Sequence, residues 1–345
     1  MNKVRCGAAV AVAAAALIVV SAPAGAEPAA ATYAGSTSVG VHNAYEKDKY
    51  PYFADALDSG AALLELDVWT NGFGSSWRVS HSNPLGSNSN CVNASRASDL
   101  RTKDRNQDLG GCLADMRAWH DAHPGHRPIL VKVEMKDGFN AKGGRGPAEF
   151  DALVRRQLGD AVYGPGDLTA GHATPDEAAQ AGGWPDRSAL AGKFLIELIP
   201  GTVEEKNPLD HLWTDVEYAT HLKDLAAQGQ LARSTAFPAV HGAAPGDPRE
   251  RYQDRALRPW FVVFDGDAAT YLKDGIDTAW YDTRHYLLVM TDAHKVPPEI
   301  DGTRPTEAAA LARVGQLAAA HASFATADWY PLPSVLRTVQ PRGGA

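Results

Sequence analysis

The sequence predicts an α/β protein folded as a single, irregular (β/α)8 TIM barrel. Short apolar or β-branched runs alternate with helix-like stretches, the pattern of a mainly parallel sheet. Eight such runs follow one another with no low-complexity linker and no internal repeat, which favours a closed barrel over an open sheet. No GxGxxG follows the first strand, so a dinucleotide-binding fold is excluded.

The elements can be taken in chain order. The first run, "SVGVH" (38–42), is β-branched and stops at a His-Asn pair. A helix-like stretch at 51–61 leads to "LLELDVW" (63–69), apolar but interrupted by two acids. "WRVSH" (77–81) follows too closely for an intervening helix, so the barrel is expected to be irregular there. Helix-like stretches at 108–122 and 149–161 precede "PILVKVEM" (128–135) and "KFLIELIP" (193–200). Residues 201–258 hold one helix-like stretch, 215–230, and are the candidate for a lid. The last strands are "PWFVVFDG" (259–266), "HYLLVMTD" (285–292) and "SFATADWY" (323–330), with a helix-like 306–321 before the final one.

Residues 1–26 read as a signal peptide. "MNKVRC" is basic, "GAAVAVAAAALIVV" is apolar but too short to span a bilayer, and "APAGA" offers a small-residue cleavage site ending at Ala26. Residues 27–345 are then one barrel domain of an exported, soluble protein, expected to act as a monomer. The formal net charge is −8, and loss of Lys3 and Arg5 with the leader makes it more negative. That balance excludes nucleic-acid binding, which needs a phosphate-neutralising surface, and a broad electrostatic grip on anionic membranes. With Cys6 removed, Cys91 and Cys112 are an even pair in an oxidising compartment and are expected to form a disulfide. A loop of that size stabilises by ~3 kcal/mol in the chain-entropy model.

In such a barrel the chemistry sits at the carboxyl ends of the strands. The first four predicted strands supply it in succession: His42-Asn43, then Glu65 and Asp67, then His81, then Glu134. Glu65 and Asp67 are two residues apart and point to one face, where two unpaired acids could not be buried. A divalent cation resolves that conflict. Three carboxylates and the Asn43 amide form an all-oxygen ligand set that suits one Ca²⁺ ion, and Mg²⁺ less well. Without a Cys or second His at ligand spacing, zinc fits poorly. Two imidazoles beside the cation suit acid–base work on a phosphodiester. Taken singly each feature has a structural reading: a hydrogen-bonded strand-end His42, an acid pair bridged to Lys132 or Arg78, a turn at His81. Their order along successive strands is what argues for chemistry.

This order, "HN", "ELDVW", "VSH" and "PILVKVE", resembles the catalytic half of phosphoinositide-specific phospholipase C in its Ca²⁺-dependent form, over residues 36–137. The resemblance implies a barrel of the PLC-like phosphodiesterase type and a secreted bacterial enzyme. It implies Asn43, Glu65, Asp67 and Glu134 as Ca²⁺ ligands, and His42 at the phosphoryl group, assisting attack by the inositol 2-hydroxyl. His81 would protonate the leaving diacylglycerol oxygen, and a cyclic inositol phosphate would form first. The similar metal-independent enzymes carry a basic residue where this chain has Asp67. The animal enzymes carry fifth-strand lysines that hold ring phosphates; "GKFLIELIP" has Glu197 there, which favours plain phosphatidylinositol or a related diester. A glycerophosphodiester phosphodiesterase is the second reading, disfavoured because that family usually has His-Arg at the first strand. A non-catalytic Ca²⁺-dependent lipid-binding barrel is the third, disfavoured because both histidines are present.

Other residues are candidates for substrate contact: Lys132, on the face of Glu134, Asp292 with His294 at the seventh strand end, and Trp329 and Tyr330 at the last. Transient membrane contact is expected through rim aromatics such as Trp77 or Trp184. His120, His123 and His126 are spaced by three, but the expected place of this run at the amino end of the fourth strand argues against a metal site. Asn93 lies in an N-x-S sequon that carries little weight.

Overall fold

The computed structural model describes residues 31–71, 76–208, 210 and 212–344, so the expected leader at 1–26 lies outside the described residues. Ten strands follow in chain order: β1 (Ser36–Val41), β2 (Leu63–Trp69), β3 (Arg78–Val79), β4 (Ile129–Met135) and β5 (Phe194–Pro200), then β6 (Phe237–His241), β7 (Val263–Asp267), β8 (Leu287–Thr291), β9 (Phe324–Ala327) and β10 (Val339–Pro341). They run β10-β1-β9-β8-β7-β6-β5-β4-β2-β3, and pairing of β1 with β2 closes the sheet into a barrel of eight parallel strands. β3 and β10 are antiparallel additions to β2 and β1. The barrel expectation holds, with two corrections to its strands.

"WRVSH" is not a barrel strand: only Arg78 and Val79 pair, as a short return on Val68 and Trp69. The missing parallel strand is β6, inside the segment read as a lid. Residues 201–258 instead contain a helix, Thr214–Ala227, and then Phe237–His241. Pro238 hid this strand, because a proline donates no ladder hydrogen bond and argues against a central strand. β6 accommodates it with a sparse ladder to β5, Glu197 opposite Phe237 and Leu198 opposite Pro238.

Local chemistry accounts for the outer helices. Asp108 caps Leu109–Ala122 by accepting from Gly110 N at 2.8 Å. Thr306 does the same for Glu307–Ala319 through Ala309 N. Every residue of β1, β2 and β5 is buried, as a sheet covered on both faces requires. Closure depends on Gly40. A Cβ there would lie 2.7 Å from Leu63 Cβ and 2.9 Å from Thr326 Cγ2, so only glycine lets β1 sit between β2 and β9. Below that point the buried Arg187 donates to Ser36 Oγ and Ser38 Oγ and holds the amino end of β1.

The disulfide Cys91–Cys112 is present and ties the loop after β3 to the helix Leu109–Ala122. Trp77 and Trp184 are both buried, the first against Phe139 and Phe150, the second against Tyr33, Tyr163 and Phe237; neither is at the rim. Among the described residues no helix is long and apolar enough to cross a membrane.

The three close histidines are held by one another and by backbone carbonyls. His126 Nδ1 lies 2.6 Å from the Arg127 carbonyl, so it carries the proton, and Nε2 accepts from His120 Nδ1 at 3.1 Å. His123 Nδ1 bonds the Trp119 carbonyl. Burial, together with the charges of His120 and Arg127, pushes the His126 imidazole down to about 4 from 6.5. Across that interval the folded state binds fewer protons than the unfolded chain, so this residue's contribution to stability is lost as pH falls from 6.5 through 4. Its share is about 3 kcal/mol between pH 7 and 4. Chemical denaturation should show a flatter pH dependence for His126→Asn by that amount, and parallel curves would refute the assignment.

Candidate active site

Strand register builds the site. Alternation along β2 turns Glu65 and Asp67 to one face, and the β2–β4 ladder sets Glu65 opposite Lys132 and Asp67 opposite Glu134. One layer therefore pairs acid with base. The next places acid against acid, an arrangement that destabilises a sheet unless a cation intervenes.

His42 and Asn43 follow β1 directly. Asn43 adopts φ +50, a left-handed conformation that asparagine tolerates better than most residues. The turn brings Asn43 N to 3.1 Å from Glu65 Oε2 and Ala44 N to the Glu65 carbonyl. Asn43 is buried, and its Oδ1 has no hydrogen-bond partner. No hydrogen bond of good geometry reaches either carboxylate oxygen of Asp67, and Oδ2 has an ion pair to Lys136 Nζ at 3.3 Å. One oxygen each of Glu65, Asp67 and Glu134 lies within 4.8 Å of the others. Hard oxygen donors converging from the end of β1, from β2 and from β4, with Asn43 Oδ1 orphaned among them, fit a bound Ca²⁺ ion.

The electrostatics follow from this crowding. Burial, reinforced by Glu134 and Glu65, pushes the Asp67 carboxyl well above the usual range. Burial acts on Glu65 in the same sense, but the Lys132 ammonium, His42 and the Asn43 amide outweigh it and hold its carboxyl low. His42 Nε2 stands 3.6 Å from Glu65 Oε2, and Nδ1 stands 3.2 Å from Asp328 Oδ1. Burial opposes protonation of His42, but these two acids raise it to about 9. His81 is half exposed, with Nδ1 3.6 Å from Glu46 Oε1.

Several residues that matter here were not legible as candidates. Lys49 Nζ bridges Asp328 Oδ1 at 2.7 Å and Glu46 Oε2 at 3.4 Å, and also donates to the His42 carbonyl. It thereby links the acid beside His42 to the acid beside His81. Asp328 immediately precedes the expected Trp329; a carboxylate at a strand end was the available signal. Lys136 enters between Asp67 and Glu134. Beneath them Asp265 pairs with Lys132 at 2.9 Å, and Glu197 is fully buried, its carboxyl pushed well up by burial and by Asp265.

The expected substrate contacts are revised accordingly. Lys132 is buried between Glu65 and Asp265 and is spent on them, so it faces no ligand. Trp329 is fully buried, its Nε1 donating to the Asp301 carbonyl, so its ring is core rather than a stacking platform. Tyr330 is partly buried, edge-on to Tyr50. Asp292 lies just past β8, bonded to Lys295 at 2.6 Å, with His294 Nδ1 at 4.0 Å. His42, Asn43, Glu65, Asp67, His81 and Glu134 all lie at the barrel's carboxyl end.

A parallel barrel whose mouth carries two imidazoles over three convergent carboxylates defines a metal-assisted acid–base site. The family model for Ca²⁺-dependent phosphoinositide phospholipase C matches residues 49–211. The chain is similar to the structure of a Ca²⁺-dependent phosphatidylinositol-specific phospholipase C from Streptomyces antibioticus, with 83% identity and a TM-score of 0.90, covering 91% of this chain and all of that one. A calcium-dependent phosphoinositol-specific phospholipase C from Pseudomonas sp. shares the fold, at 22% identity and a TM-score of 0.65, covering 93% of this chain and 99% of that one. No curated protein sequence matches the chain. The chain belongs to the Ca²⁺-dependent phosphatidylinositol-specific phospholipase C family.

Proposed function

We propose that this protein is a Ca²⁺-dependent phosphodiesterase that cleaves phosphatidylinositol into diacylglycerol and an inositol phosphate. The observation that carries this reading is the buried Asp67 facing Glu134 with one lysine ammonium shared between them, and Asn43 Oδ1 orphaned beside it. Asn43, Glu65, Asp67 and Glu134 would hold the ion. An ion held by these residues would supply charge neutralisation and lower the pKa of a nearby hydroxyl. His42, fixed by Asp328 at Nδ1 and protonated below about pH 9, would present Nε2–H to a phosphoryl oxygen. The proton of the inositol 2-hydroxyl would pass to a carboxylate of the ligand set such as Glu65, 3.6 Å from Nε2. His81 delivers a proton to the departing glycerol oxygen. Because the attacking oxygen belongs to the same inositol ring as the phosphate ester, the bond it forms as the glycerol oxygen leaves makes a cyclic phosphate the first product.

At the carboxyl ends of β5 and β6 opens a pocket of about 460 Å³, lined by Glu205, Asp210, Trp213 and His241 among others. Arg251 is also there, but its guanidinium is committed to the carbonyls of His241, Gly242 and Pro248. His241 is likewise paired, to Glu205 at 2.7 Å, so the basic groups lining the pocket are committed, which suits the hydroxyls of an unphosphorylated ring better than ring phosphates. Leu85, Val203 and Leu212 are strongly exposed, on loops at the barrel mouth. They support brief insertion into a lipid surface by a monomeric, exported protein whose leader is removed after about Ala26.

The test offers phosphatidylinositol, its bisphosphate and glycerophosphoinositol, each with Ca²⁺ or with chelator. Inositol phosphate should appear from phosphatidylinositol only with Ca²⁺, and at least tenfold more slowly from the bisphosphate. Release that survives chelation would sink the metal assignment. Glycerol phosphate from the deacylated substrate alone would favour a glycerophosphodiesterase.

A further inference from the structure

Lys136 stands immediately after β4, two residues beyond Glu134. Its Nζ lies 2.8 Å from Glu134 Oε1 and 3.3 Å from Asp67 Oδ2, and the residue is only 6% exposed. Its backbone is clamped on both sides: the amide donates to the Val68 carbonyl, and its own carbonyl accepts from Val203 N and Glu204 N. A Cβ on Gly201 would fall 2.4 Å from Lys136 Cα, so the neighbouring backbone is packed hard against it. Only the four-carbon stem is free to move. The other buried lysine, Lys132, is committed elsewhere, to Glu65 and Asp265.

We propose that Lys136 is the built-in counter-ion of the metal site, competing with the divalent cation for Asp67 and Glu134 and expelled when the cation binds. This rests on the assignment of those two acids as ligands. Two carboxylates facing each other out of water require a cation between them. In the metal-free protein the Lys136 ammonium is that cation. A divalent ion needs the same oxygens, and two cations at such separations repel, so both cannot hold the site together. Displacement needs no backbone change, only a swing of the stem toward the mouth, where a phosphodiester docks. The fold thus survives without metal, and the affinity for Ca²⁺ is set below what the ligands alone would give. Occupancy then follows the ambient Ca²⁺ concentration instead of being permanent.

Calorimetric titration of Ca²⁺ into wild type, Lys136→Met and Lys136→Arg tests this. Lys136→Met should bind Ca²⁺ at least tenfold more tightly, and Lys136→Arg within threefold of wild type. Without metal, Lys136→Met should unfold at lower temperature than wild type, a gap that saturating Ca²⁺ closes. Affinity for Lys136→Met that is unchanged or weaker overturns the proposal. Absence of Ca²⁺ binding to wild type would instead overturn the metal site itself. Should Lys136→Met not fold, acetylation of wild type with acetic anhydride, read by mass spectrometry, decides. Lys136 should label faster with Ca²⁺ than with chelator, and Ca²⁺-independent labelling overturns the proposal.

Discussion

Asp67→Asn should fold normally and lose turnover by a factor on the order of 10²–10³, the cost of removing one preorganised electrostatic group from a transition-state site. It should at the same time be more stable than wild type in chelator. The two effects share one cause. Asp67 is buried and faces Glu134 across the ladder, and the two share the one Lys136 ammonium, so without metal one of the two negative charges is in excess and is a liability. An amide removes the repulsion and supplies a donor to Glu134. It also removes a charged ligand, so the thermal shift produced by saturating Ca²⁺ should shrink to near zero. Thermal unfolding with and without Ca²⁺, beside a turnover assay, checks both halves. A variant as Ca²⁺-responsive as wild type would contradict the ligand assignment.

The two histidines should separate when the leaving group is changed. His42→Ala and His81→Ala should each slow phosphatidylinositol cleavage by about 10²–10⁴, the usual worth of a positioned acid or base. A nitrophenyl ester of inositol phosphate leaves without needing a proton. On that substrate His81→Ala should recover to within about tenfold of wild type, while His42→Ala stays impaired because the attack step still lacks its partner. Equal losses on both substrates would remove His81 from the leaving-group role, and recovery of His42→Ala would exchange the two roles.

The parts legible in the sequence were those that short-range patterns encode. Period-two alternation in "ELDVW" sufficed to put Glu65 and Asp67 on one face, and the apolar run around Glu134 sufficed to place it in a strand. What escaped depends on register and distance. β6 was hidden by Pro238, whose ring mimics a strand breaker while its neighbours still pair. Among consecutive residues at the end of the last strand, aromatic character drew attention to Trp329, yet Asp328 is the one turned to His42. Lys136 could be placed only once Asp67 was known to lie opposite Glu134, and Lys132 only once Asp265 was known to point at it. The bridge through Lys49 joins residues from opposite ends of the chain, beyond the reach of any local pattern.

That contact carries a consequence for when the protein becomes active. His42 and Asp328 are 286 residues apart, and they meet where the first barrel strand closes against the last. The His42 imidazole is therefore oriented by the final stave, so a chain whose last barrel strand has not yet joined holds all four proposed metal ligands yet lacks the group that aims His42. Activity should thus be the last property the chain acquires as it folds.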